Sequence, residues 1–304
     1  MMAAVHRIDG AGACAEVGRP EFDPGKAAWN GTMLAATLVA APLLFSWSAV
    51  AVFAATTWVS LLVGHSVGMH RLMIHRSFDA PKPVERLLIW IGVLVGVSGP
   101  FGIMRIHDTR DWAQRQPACH DYFAHRCPLL HDLWWQLACR FAFERPPRFA
   151  VEAHFAADPW YRAMDATWRW HQLVVAIPLY IAGGWAWVVW GVGVRVFVSA
   201  AGHWTITHFC HGESRDRWRV DAACVQGRNR AGLGWLTYGE CWHNNHHAFP
   251  ESARIGLERG QADPGWLVVR ALEHAGLARN VGQPRDPALR ADLDELSAPP
   301  PARA

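Results

Sequence analysis

From Ala27 to Met69 the chain contains no Asp, Glu, Lys or Arg. One membrane-spanning helix needs about 20 apolar residues, so a run of this length fits two spans better than one. Ser46-Trp47-Ser48, with Pro42 nearby, is the expected tip between them. A second apolar block runs from Trp170 to Gly212, interrupted only by Arg195, with Gly183-Gly184 as its expected tip. The fold class this implies is all-α: an integral membrane protein with four transmembrane helices in two hairpins.

Charge gives the orientation. The region from Arg71 to Arg169 holds thirteen Lys or Arg, whereas neither tip holds any. The positive-inside rule therefore places this middle region, and both termini with it, in the cytoplasm. Leu87 to Met104 is a third apolar stretch, punctuated by Gly92, Gly96, Gly99 and Pro100. A crossing there would put His75 and His107 on opposite sides, so it is expected to be buried in, or to lie on, the cytoplasmic face. The expected organisation is an N-terminal cytoplasmic segment (1–26), one membrane domain (27–280) and a disordered tail rich in Pro, Ala and Arg (281–304).

Of the 304 residues, 51% are hydrophobic and only 18% charged, against about 25% charged in ordinary soluble domains. A net charge of +3 is too small for a nucleic-acid-binding protein. The seven cysteines are scattered singly with no CxxC pair, which argues for a reducing compartment and against a disulfide framework. The first thirty residues lack the basic and apolar regions of a signal peptide.

Histidine supplies the chemistry. His243-Asn244-Asn245-His246-His247 is an HxxHH box, and positions i, i+3 and i+4 share one face of a helix. Neutral imidazole suits iron, zinc, copper or nickel, and adjacent His246 and His247 could serve two neighbouring metals. His70 and His75 form another box; five residues on an α-helix is about 140° of rotation, so they either approach different ions or the helix unwinds. His65, inside the apolar run, reads as a hydrogen-bonded neighbour of the site. His107 and Asp111 are four apart and could bind a metal from one face, whereas Asp108 fits a solvated Asp/Arg run equally well. His203, Thr207 and His211 form an i, i+4, i+8 stripe leaving the last span, with His208 beside them. Polar groups there mark function by default.

On these residues the chain resembles the membrane fatty acid desaturases of the acyl-CoA desaturase type. The match is carried by Gly68-Met69-His70-Arg71, His75-Arg76-Ser77-Phe78 and Gly239-Glu240-Cys241-Trp242-His243-Asn244-Asn245-His246-His247-Ala248-Phe249-Pro250, and it covers roughly Thr32 to Asn280. The resemblance implies a cytoplasmic helical cap carrying a His-ligated di-iron centre, with O₂ as cosubstrate and an external electron donor protein. Carried over by position, the metal ligands are His70, His75, His107, His211, His243, His246 and His247. The family's middle HxxHH box here reads His107-Asp108-Thr109-Arg110-Asp111. Arg110 cannot ligate, because guanidinium stays protonated. Asp111 can, and is expected to supply a carboxylate while Arg110 turns away to pair with Asp108 or Asp121. The family's water-holding Asn is here Thr207. His120, His125, His203 or His208 could restore the ligand count.

The expected function is O₂-dependent desaturation of a fatty acyl substrate, linked to CoA, a lipid or a carrier protein. Removing hydrogen from an unactivated methylene needs an oxidant that no side chain supplies, and a metal centre with O₂ provides one. Arg71, Arg76, Arg105 or Arg148 could hold an anionic head group at the cytoplasmic face. Two alternatives stand beside this: a related di-iron hydroxylase of alkyl or lipid substrates, and a non-catalytic metal-binding relative with a decayed middle box.

Overall fold

The computed structural model of the chain describes residues 7–296. It is mainly helical. Helix α1 runs over residues 24–43, with Asp23 as its N-cap accepting from the Lys26 backbone N–H at 2.9 Å. Ser46 caps α2 (Trp47–Ile74). Two shorter helices follow, α3 (Lys82–Val93) and α4 (Pro100–Gln114), then α5 (Leu129–Ala138). The long α6 spans His171–Phe209, and α7 (His243–Ala248) and α8 (Pro264–His274) complete the set used here.

Two helices, α2 and α6, are long and apolar enough to cross a membrane. Helix α1 is not among them, so two of the four expected crossings are not separately marked. Gly184 breaks α6 with φ 64° and ψ −159°, a conformation only glycine adopts freely, at the tip read from Gly183-Gly184. Both α1 and α2 pack against the later half of α6. Leu43, Trp47, Trp58, Ile177, Ile181 and Trp185 stay exposed, so the apolar side chains face outward. That pattern suits a lipid surround. Within it Arg195 is fully buried, and its guanidinium donates to the carbonyls of Gly191 and Leu94 and to Gln172.

Helix α3 has 12 residues, too few to cross ~30 Å of hydrocarbon, and α4 starts only after a turn at residues 94–99. Helix α3 packs backbone to backbone against α2. A Cβ on Gly64 would meet the Gly92 amide at 2.5 Å, and one on Gly68 would meet the Leu88 carbonyl oxygen at 2.5 Å. Backbone cannot give way as a side chain can. Gly68→Val is therefore expected to destabilise the protein by about 3 kcal/mol or more, near the upper end of overpacking penalties. A lowered melting temperature in detergent checks this; an unchanged one would refute the close approach.

Four two-stranded antiparallel pairs depart from the expected all-α fold. Gly18–Phe22 pairs with Cys139–Phe143 over five residues, and Trp218–Val220 pairs with Leu293–Glu295. The second pair corrects the expectation of a disordered tail from 281. A 3₁₀ turn at Pro287–Leu289 and the strand at Leu293–Glu295 are ordered, because the strand finds the free edge of Trp218–Val220. Residues 297–304 of that expected tail lie outside the described residues.

Candidate metal centre

Residues Val59–Ile74 of α2 are wound as a π-helix, and the His75 N–H bonds the His70 carbonyl at 3.0 Å. With i→i+5 bonding, residues five apart stack on one face. This removes the 140° separation expected of an α-helix. His70 and His75 accordingly bring their Nε2 atoms to 3.2 Å. His107, from α4, puts its Nε2 3.3 Å from that of His75. The His246 ring, from α7, centres 4.5 Å from those of both His70 and His75. These four form one group. His211, just past α6, forms a second with His243 and His247, at Nε2 separations of 3.1 and 3.2 Å. Neighbouring His246 and His247 thus serve different groups.

The residues fit a metal on three grounds. Two imidazoles bound about 2.1 Å from one ion at about 95–105° would lie 3.1–3.3 Å apart, as these do. Three of the far ring nitrogens have polar neighbours that turn Nε2 inward, whereas those of His243 and His246 are buried without one. His211 Nδ1 donates to the Thr207 carbonyl at 2.7 Å, His107 Nδ1 donates to Asp108 at 3.1 Å, and His70 Nδ1 lies 2.7 Å from Glu240. Finally, burial drives His75, His211, His243 and His246 well below the usual imidazole range and His247 down to about 4. The rings are neutral, the form that ligates.

Asp111 sits at the rim. Its Oδ2 is 3.7 Å from His107 Nδ1, and its Oδ1 is buried without a partner. Burial alone would raise this carboxyl, but His107, His247 and Arg110 outweigh it and hold it below its ordinary range. The expected pairing of Arg110 does not form. Asp108 accepts from Arg7 at 3.0 Å instead, and the carboxylate nearest to Arg110 Nε is that of Asp111, at 3.9 Å.

Other expectations resolve one by one. Thr207 spends its hydroxyl on the His203 and Trp204 carbonyls. His65 meets His203 edge-on and lies parallel to the His70 ring, without joining either group. His120 caps a short helix through the Tyr122 N–H. His125 and His208 both turn Nδ1 onto fully buried Asp132, at 3.0 and 2.7 Å, forming a third cluster with Trp204 donating to the same carboxylate. Arg71, read as a possible head-group anchor, is fully buried: it pairs with Glu240 and Asp263 at 2.8 Å and bonds Ser66. Arg76 pairs with Glu85 at 3.0 Å.

Sequence reasoning missed the supports of these ligands. Glu240 holds His70 and Arg71 together. Burial opposes its charge, yet His70 and Arg71 keep it below the normal carboxyl range. The two asparagines inside the last box are structural: Asn244 bonds the Trp218 backbone at both N–H and C=O, and Asn245 bonds Ile255 and Gln261. The one available signal was position, since Glu240 lies three residues before a ligand.

Two cavities meet beside the histidines. One, of about 760 Å³, is mostly apolar, with Phe53, Trp58, Leu61, Val198, Ile206 and Leu236 in its wall, and it reaches His70, His107 and His243. The other, of about 670 Å³, carries the cations Lys26, Arg105, Arg140 and Arg169. They share Arg110, His203 and Thr207.

No protein-family model matches the chain. Curated relatives do. It is 33% identical to an sn-1 stearoyl-lipid 9-desaturase of Anabaena variabilis over 259 residues, covering 83% of this chain and 90% of the relative. It is 30% identical to an acyl-CoA 5-desaturase of Anemone leveillei (82% of this chain, 76% of the relative). It is likewise 30% identical to an sn-2 palmitoyl-lipid 9-desaturase of a Nostoc species (79% and 84%).

Proposed function

Since this chain belongs to the fatty acid desaturase family and is an oxidoreductase of lipids, we propose that it desaturates a membrane-borne acyl chain at a di-iron centre, drawing on O₂ and an external electron-transfer protein. The carrying observation is the pair of buried imidazole groups, four and three strong, joined through adjacent His246 and His247. We assign His70, His75, His107 and His246 to one iron, and His211, His243 and His247, with Asp111 as a carboxylate, to the other. The orphaned Oδ1 of Asp111 supports its inclusion. The test is purification followed by metal analysis, with fatty-acid product analysis by mass spectrometry in a host lacking desaturases. About two irons per chain and a new double bond are expected; a hydroxylated product or one zinc would overturn the reading.

Iron held by these histidines would supply, with O₂ and electrons, the oxidising power that an unactivated methylene requires. The protein's own part is to position and exclude. Glu240, Asp108 and the Thr207 carbonyl orient ligand rings, so little rearrangement accompanies the reaction. The apolar cavity wall holds the acyl chain and keeps water from the oxidant. Cations Lys26, Arg105, Arg140 and Arg169 of the adjoining cavity suit a phosphate-bearing or otherwise anionic head group, whether on CoA, a lipid or a carrier protein.

The same reading sets topology. Helix α6 has 39 residues, nearly twice the ~20 that one crossing needs, and the break at Gly184 is its tip. The 25 residues after it span the bilayer, whereas the 13 before it, about 20 Å, cross only a locally thinned one. With α1 and α2 as the other hairpin, both termini and residues 71–169 lie in the cytoplasm. Cysteine labelling of intact cells is expected to reach residues at Ser46–Ser48 and Gly183–Gly184 from outside and never Leu130, which is exposed on the protein surface. Outside labelling at Leu130 would reverse the arrangement.

A further inference from the structure

Arg110 stands where both cavities and both histidine groups meet, yet among the described residues its guanidinium donates no hydrogen bond. Its side chain is nine-tenths buried. Its nearest carboxylate oxygen, at 3.9 Å on Asp111, is beyond hydrogen-bond reach and also faces His107. A guanidinium carries five N–H donors, and leaving a buried one without hydrogen-bond acceptors is unfavourable even with an acid 3.9 Å away. The other buried arginines are provided for: Arg7 by Asp108 and Glu152, Arg71 by Glu240 and Asp263, and Arg195 by carbonyls and Gln172. Arg110 alone of these four faces open cavity on two sides instead of hydrogen-bond acceptors.

We propose that Arg110 is a binding site for a carboxylate, the free carboxyl end of an unesterified fatty acid whose chain lies in the apolar cavity. Three features select this ligand. The planar fork of donors matches the two oxygens of a carboxylate. One guanidinium whose only acid neighbour, Asp111 at 3.9 Å, fills none of its donors calls for no more than a single added negative charge. The space leading away from it on one side is walled by Phe53, Trp58, Leu61, Val198, Ile206 and Leu236, which suits a hydrocarbon tail and no soluble dianion. An esterified chain entering from the cationic cavity would pass Arg110 without this contact. The residue therefore distinguishes free acid from ester, and the free acid competes with the esterified chain for the apolar cavity. The inference rests on the reading of that cavity as the acyl site, but binding needs neither turnover nor metal.

The test is equilibrium binding to the detergent-purified full-length protein, followed by tryptophan fluorescence or calorimetry. The probes are palmitate, methyl palmitate and acetate, applied to the wild type, Arg110→Gln and Arg110→Lys. Palmitate is expected to bind the wild type at least ~10-fold tighter than methyl palmitate, the size of a hydrogen bond to a charged partner. Arg110→Gln should bind the two equally, and Arg110→Lys, which keeps charge but not the fork, should fall between. Equal affinities in the wild type, or a preference surviving in Arg110→Gln, would overturn the proposal. Arg110-dependent binding of acetate as tight as that of palmitate would assign the site to a small soluble carboxylate and overturn the fatty-acid part. The wild-type comparison of acid with ester stands whether or not the variants fold. Absence of any desaturated product would sink the proposed reaction while leaving this binding preference intact, so the two failures are separable.

Discussion

Alanine at His246 is expected to abolish the four-imidazole group, and alanine at His247 the three-imidazole group, each with iron lost and product below about 1% of wild type. Each change removes a ring nitrogen from a set whose ligand atoms all lie within 4.8 Å of one another. The loss should exceed the 10–100-fold effect of merely disturbing a ligand's support. Because the residues are adjacent but face different groups, the two variants should differ in which iron goes first, visible in Mössbauer spectra of ⁵⁷Fe-loaded protein. Folding should survive, since α7 is held by Asn244 and Asn245 rather than by the histidines. Iron content unchanged in both variants would make the box structural.

Glu240→Ala should produce the second largest effect, and through a different route. Its carboxylate lies 2.7 Å from His70 Nδ1, accepts from Arg71 at 2.8 Å and accepts from Ser66 at 2.6 Å. Removing it frees the His70 ring and leaves Arg71 with Asp263 as its remaining acid. Metal affinity is expected to fall 10–100-fold. Stability should fall by about 3 kcal/mol, the low end for a broken buried pair because Asp263 remains. Glu240→Gln separates the two roles: its oxygen can still accept from a ring or guanidinium, so affinity should recover further than stability. Metal titration and thermal melting of both variants measure this, and equal affinities across wild type, Gln and Ala would remove Glu240 from the centre.

Much of this arrangement was legible from residue spacing. The i, i+3, i+4 pattern at His243 needs only helical geometry, and Gly183-Gly184 marks a break wherever a long apolar run must turn. The joining of His70 and His75 was not legible. It depends on π winding over Val59–Ile74, for which the residues carry no local signal, in a helix whose glycines meet another backbone. Arg71 misled because a basic residue at the end of a span usually anchors it; only the fold reveals that two acids 169 and 192 residues away enclose it. The strand at Leu293–Glu295 was hidden by composition, since its pairing comes from a free edge elsewhere and not from its own sequence.

That last strand has a consequence in time. A chain is made from its N-terminus onward, and domains generally fold as units as they emerge. His70 and His75 are synthesised early, and the last ligand, His247, precedes the end by 57 residues of the 304. Yet α7 is seated on Trp218 through Asn244, Trp218 is edged by Leu293–Glu295, and the Ala248 carbonyl at the end of α7 accepts from Arg290 at 2.7 Å. The clasp is thus made after every proposed ligand. A polypeptide stopped before Pro287 is expected to hold all of those histidines while lacking the contacts that seat α7.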